Sequence, residues 1–277
     1  MMFQDGLQRF RQARADGSLR QGTWRHSDGS CCLLALLYPS ARHSGEVVSA
    51  MLPDWLVQII PPLFDGLSAT ACLDWGEALI IELSRFEGQA LPRGILHDWM
   101  MNGLLPVLKE SCELRHGHPE QIQALMGLHR DALAHIRHDY STWFSSLEVG
   151  LHAAFTYAYD YASAYQQSYL RCLQHAQAHH YPDAEPMSRE YGEENALANR
   201  RAFVKANVAA HAALDAEWLS QADTAQPSPG TLYGQLQAVA QGYLLTVGCS
   251  AQEQVLLYQR FADALLDAVR QARRSYA

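Results

Sequence analysis

The chain has 277 residues, 48% hydrophobic and 18% charged, a balance that can bury an apolar core without metals or disulfides. A formal net charge of -8, with Lys109 and Lys205 the only two lysines, argues against general nucleic-acid binding and favours a basic protein partner. Six cysteines without paired spacing read as buried thiols, and the longest apolar run, Cys31 to Tyr38, is too short to span a bilayer.

The first thirty residues, rich in Arg and Asp, are unlike a secretory signal, which places the protein in a bacterial-type cytoplasm with no membrane contact. Phe3, Leu7, Phe10 and Ala13 predict a short amphipathic helix that stops at Asp16-Gly17. Gly22-Thr23-Trp24-Arg25 and Cys31 to Leu37 flank His26-Ser27-Asp28-Gly29 and read as a small β-hairpin. An apolar run this short also suits a buried helical segment.

After a polar loop from Pro39 to Ser49, Pro53 opens a helix with Trp55, Leu56, Ile59, Ile60, Leu63 and Phe64 on its buried stripe. Pro61-Pro62 should kink or end it. Further helices are expected over 69–86, from Pro92 to a bend at Pro106, and from Pro119 to about Arg137, the last with Ile122, Leu125, Met126, His129, Leu133 and Ile136 on one side.

Residues 140–180 contain no proline and one glycine, Gly150. Tyr157, Tyr161, Tyr165 and Tyr169 recur every fourth residue among alanines, which predicts one long central helix against which others pack. The tyrosines are either core or a binding face. Pro182 and Pro186 break this helix, and Leu197, Val204, His211 and Trp218 then repeat at seven along the next. Residues 222–230 read as a linker, Gly248 stops the following helix, and Ser250 with Glu253 forms a capping box for the last. The expected class is all-α, a bundle or array of about nine helices, divided at 1–118 and 119–277 or continuous across both.

Several residue groups could carry chemistry. Asp28-Gly29-Ser30-Cys31 resembles the Asp-Gly-x-Cys of OTU-type cysteine proteases, a likeness that would make Cys31 a nucleophile in need of a His. The dipeptides His97-Asp98 and His138-Asp139 resemble those of HD-type phosphohydrolases, all-α enzymes in which such residues hold a divalent metal that activates water, with His43 and Asp131 as further ligand candidates. His175 and His179 stand one turn apart beside His180, and Asp131, His135 and His138 share a helix face. Thirteen histidines make such spacings common, and solvated or core histidine is the simpler reading, so no metal or cofactor is expected. Asp183, Glu185, Glu190, Glu193 and Glu194 face one Arg189 and suit either a helix start or an acidic partner-binding patch.

The stretch His152 to Tyr169, with Gly22-Thr23-Trp24, Cys32 to Pro39 and Leu52 to Leu56, resembles bacterial Ala/Tyr-rich helical proteins described as immunity proteins of polymorphic toxin systems. That resemblance implies a non-enzymatic protein that neutralises a toxin or effector, with Tyr157, Tyr161, Tyr165 and the acidic group as partner contacts.

Overall fold

Apolar residues spaced three and four apart place the first helix where the sequence predicts it. In the computed structural model, which describes residues 2–22, 24–25, 27–43, 46–47, 52–221 and 231–276, α1 (Met2–Asp16) buries Phe3, Phe10 and Ala13. It stops at Gly17, whose φ of 72° is the left-handed conformation that ends a helix cheaply. The expected β-hairpin does not form. Among the described residues there is no strand, only isolated bridges from Cys31 to Leu19 and to Arg25, and Leu33–Leu37 closes into α2. Leu33, Leu34, Ala35 and Leu37 are all buried, as suits the buried helical segment that the run could equally form. Thr23 and His26 of that expected hairpin, and the expected linker at 222–230, lie outside the described residues.

The helix after Pro53, α3 (Asp54–Gly66), continues through Pro61 and Pro62 rather than ending there. Two missing backbone donors cost it ladder bonds, but seven buried side chains, among them Trp55, Ile59, Ile60 and Phe64, hold it in place. Next come α4 (Ala71–Ser84), α5 (Gly94–Trp99), a π turn over Met100–Leu104, α6 (Leu105–Leu114) and α7 (Pro119–Leu133). The π turn sits just before Pro106, where the sequence predicts a bend.

The largest correction concerns the central helix. Residues 140–180 form two helices, α8 (Tyr140–Ala158) and α9 (Tyr161–Ala178), because Tyr159 turns extended at φ -81° and ψ 117°. Each new start has its own cap: the Asp139 carboxylate accepts the Thr142 N–H at 2.9 Å, and Asp160 accepts the Ser163 N–H at 3.2 Å. Arg115 fixes the end of α8. It donates through Nη2 to the carbonyls of Tyr157 and Gly242, through Nε to Thr246, and lies 4.9 Å over the Tyr157 ring.

The longest helix is instead α10 (Ala184–Ser220), 37 residues or about 55 Å, with Pro186 in its first turn, where proline is tolerated. Its C-terminal half packs on α8 through Val204, Val208 and Ala212. Its N-terminal half turns the small residues Ser188, Gly192 and Ala196 toward α9, and a Cβ on Gly192 would meet the rings of Tyr165 and Tyr169 at 3.1–3.3 Å. Small residues under a ladder of rings let the two axes approach closely. α9 rests essentially on α10, and Ala176 is its one buried residue among those described. The pair therefore extends beyond the body as a two-helix arm.

The chain closes with α11 (Thr231–Val247), stopped at Gly248 (φ 110°), and α12 (Ala251–Tyr276), whose start is capped as expected by Ser250 Oγ accepting the Glu253 N–H at 3.1 Å. α12 packs on α3, α4 and α5, and the indoles of Trp75 and Trp99 donate to its carbonyls at Ala262 and Phe261. Buried residues from Phe3 to Val269 form one continuous cluster. More helices form than the nine or so expected, because the supposed hairpin contributes α2, the π turn divides α5 from α6, and the expected central helix is two. Among the described residues no helix is long and apolar enough to cross a membrane.

The arm yields a direct stability prediction. Tyr161, Tyr165 and Tyr169 are half-buried and stacked, with ring centroids 6.4 and 6.1 Å apart. Tyr165→Ala should cost the arm about 2 kcal/mol, below the range for a fully buried aromatic. Hydrogen exchange should quicken in α9 and the first turns of α10 while α5 and α11 keep their protection.

Candidate functional site

Two places gather polar groups, one inside the body and one on the arm. Inside, His97 of α5 and His129 of α7 are 6% and 1% exposed, and their Nδ1 atoms lie 2.9 Å apart. One neutral ring must therefore donate to the other. Trp143 of α8 stacks on His97 at 6.1 Å and meets His129 edge-on at 5.2 Å. Burial, helped by the positive charge of Arg93, pushes the His97 imidazole down to about 3. Burial likewise holds His129 well below its ordinary value, with His97 and Arg93 adding to the effect.

His129 also lines a small cavity, with room for about one water molecule, together with Leu96, Trp218, Gln235 and Asp215. His129 Nε2 has no hydrogen-bond partner in the protein. Asp215 is 3% exposed and accepts from the Gln235 side chain. Burial pushes its carboxyl up to about 7, against the hydrogen bonds from Thr231 and Gln235, which favour the charged form. The cluster joins α5, α7, α8, α10 and α11, but a cavity of this size admits no organic substrate. Burial holds all three titratable groups in their neutral forms.

Asp215 and Gln235 were not singled out in the sequence, although the signal was present. Asp215 lies on the same face as Val204, Val208 and Ala212, at spacings of three and four, so an acid there faces inward.

The four residues proposed as an alternative metal set are committed to other partners. Asp98 accepts from Asn102 at 2.6 Å, His138 Nε2 pairs with Asp131 at 2.8 Å, His97 pairs with His129, and Asp139 caps α8. His43 pairs with Glu46 at 3.4 Å. Among the described residues, no three His, Cys, Asp or Glu side chains are placed to share a metal ion. Cys31 is 4% exposed, and burial raises its thiol above the ordinary range, the reverse of what activates a nucleophile. Asp28 instead caps its own turn, accepting the N–H and hydroxyl of Ser30 at 3.0 and 2.6 Å. All six cysteines are free thiols.

Three of the thirteen histidines serve the backbone. His116, His135 and His180 each hold a left-handed φ of 55–60° just past the ends of α6, α7 and α9. The next residue in each case donates back to a carbonyl five positions earlier, Gly117 to Cys112, Ile136 to Asp131 and Tyr181 to Ala176, at 2.8–2.9 Å. This is the Schellman stop, at the position where glycine usually stands.

On the arm, Asp183, Glu185, Glu190, Glu193 and Glu194 are all exposed. Glu185 pairs with Arg189 at 3.2 Å, and among the described residues no internal ion pair engages the other four. Leu170, Tyr181 and Tyr191, 43–47% exposed, lie on the same two helices or the turn between them. Tyr157 is not part of this surface. It belongs to α8, donates its hydroxyl to Cys112 Sγ at 3.3 Å and lies beneath Arg115. Tyr161 and Tyr165 do belong to the arm, each with part of its ring uncovered.

No known protein family matches this sequence, and neither the curated proteins nor the solved structures include a detectable relative. The resemblance to immunity proteins rests on the residues quoted above.

Proposed function

We propose that this chain is a non-enzymatic cytoplasmic protein that binds a basic protein partner through the α9–α10 arm. The observation that carries the reading is the arm itself: a two-helix extension with five exposed carboxylates against one arginine over residues 181–199, beside exposed Leu170, Tyr181 and Tyr191. Carboxylates that outnumber the basic residues over 161–199, Arg171 and Arg189, beside apolar anchors are suited to steer a basic partner and then hold it. The groups best suited to catalysis support the same reading, since they are buried around a cavity of about one water or spent on internal bonds. A toxin or effector with a basic binding surface is the partner that the resemblance implies.

The test is capture from the native host with the full chain as bait, compared with Glu190, Glu193 and Glu194 all changed to Lys. These exposed positions contribute little to folding, within about 1 kcal/mol each. The wild type should retain a basic protein that the variant releases. Equal recovery by both baits would remove the arm from the account.

A further inference from the structure

At the tip of the arm, His175 and His179 occupy successive turns at the C-terminal end of α9, both exposed, with ring centroids 4.4 Å apart at 48°. Tyr181 leans on both, its ring 6.1 Å from each, edge-on to His175, so the imidazoles are held beside one another. We infer that His175 and His179 together bind one borderline divalent transition-metal ion, of the class of Cu²⁺, Ni²⁺ or Zn²⁺, through two imidazole nitrogens.

Two imidazoles bound to one ion at about 2.0–2.1 Å and at right angles to each other place their centroids roughly 4.5 Å apart. The observed separation of 4.4 Å is close to that of adjacent positions of a tetragonal or octahedral ion. The end of a helix carries partial negative charge, and Asp183 and Glu185 follow within a few residues, so the surroundings favour a cation. His180, next in sequence, holds the left-handed backbone conformation that ends α9. Among the described residues no third imidazole, thiol or carboxylate is placed to complete a set of three, so the remaining positions are left to water or to a ligand from another molecule. By the usual order of affinities Cu²⁺ should bind most tightly and Ni²⁺ next. The site does not depend on the partner proposal, because the ion can be measured on the isolated chain.

The experiment is calorimetric titration of Ni²⁺, and separately of Cu²⁺, into the untagged full chain and into His175→Ala, His179→Ala and His118→Ala. His118 is an exposed histidine elsewhere, paired with Glu120. Losing either tip imidazole should weaken the tightest site at least about tenfold, since a first ligand matters no less than its supporting groups. His118→Ala should leave it unchanged, and the Cu²⁺ resonance of the wild type should show two equivalent nitrogens that become one in either tip variant. Circular dichroism confirms that the exposed substitutions leave the helices intact. A tightest site that is absent from the wild type, survives either tip substitution, or weakens equally in His118→Ala would overturn the inference.

Discussion

Asp215→Asn should make the protein more stable at pH 8 than the wild type, by about 4 kcal/mol relative to the difference between them at pH 4. In the folded chain the Asp215 carboxyl keeps its proton up to about pH 7, because burial penalises its charge, whereas in the unfolded chain it ionises near the ordinary 3.8. The contribution of this group is therefore complete below pH 4 and is lost progressively as the pH rises to 7. About three pH units separate the two states, at 1.36 kcal/mol each. Asparagine still accepts from Gln235 and never ionises, so the stabilities of the two proteins in urea titrations should diverge from pH 4 to about 7 and run parallel above it. Profiles that run parallel throughout would mean that Asp215 is not held neutral.

The opposite slope comes from the histidine pair. The folded protein keeps both rings neutral, with His97 near 3, while the unfolded chain takes up protons below about pH 6.5. Their contribution is complete above pH 6.5 and is lost as the pH falls. His97 alone accounts for about 5 kcal/mol by pH 3, and His129 adds to it. Such a loss is comparable with the whole stability of many domains. His97→Leu with His129→Leu, which replaces both hydrogen-bonded partners by side chains of similar volume, should nearly preserve stability at pH 7 and remove most of the acid sensitivity. Changing His97 alone should be worse than changing both, because the His129 ring then loses its one hydrogen-bond partner.

Much of the helical framework was legible because its signals are local. Gly17, Pro119, Gly248 and the Ser250–Glu253 cap each mark a boundary that the structure keeps. The break between α8 and α9 was not, since Tyr157 and Tyr161 remain four apart across it and the pattern of rings gives no sign that the backbone turns. Asp160 was the one local hint, an acid at a helix start within a run of Ala and Tyr. The run Leu33 to Leu37 was ambiguous for another reason: five consecutive apolar residues have no period to read. At the site, the acidic group and the tip histidines were visible as residue types, but that the former line a two-helix arm depends on how α9 and α10 pack. The pairing of His97 with His129, 32 residues apart, depends on tertiary contact between α5 and α7.

The central claim, that the arm recruits a basic partner, is tested most directly by the association rate of the captured partner with wild type and with the Glu190, Glu193, Glu194 to Lys variant across salt concentrations. Screening lengths fall from about 30 Å at 0.01 M to about 10 Å at 0.1 M, so an exposed carboxylate patch acts at long range only in dilute salt. The wild type should associate fastest at low salt and slow steeply as salt is added, while the variant should be slow throughout. Rates that are the same for both proteins and indifferent to salt would contradict the account.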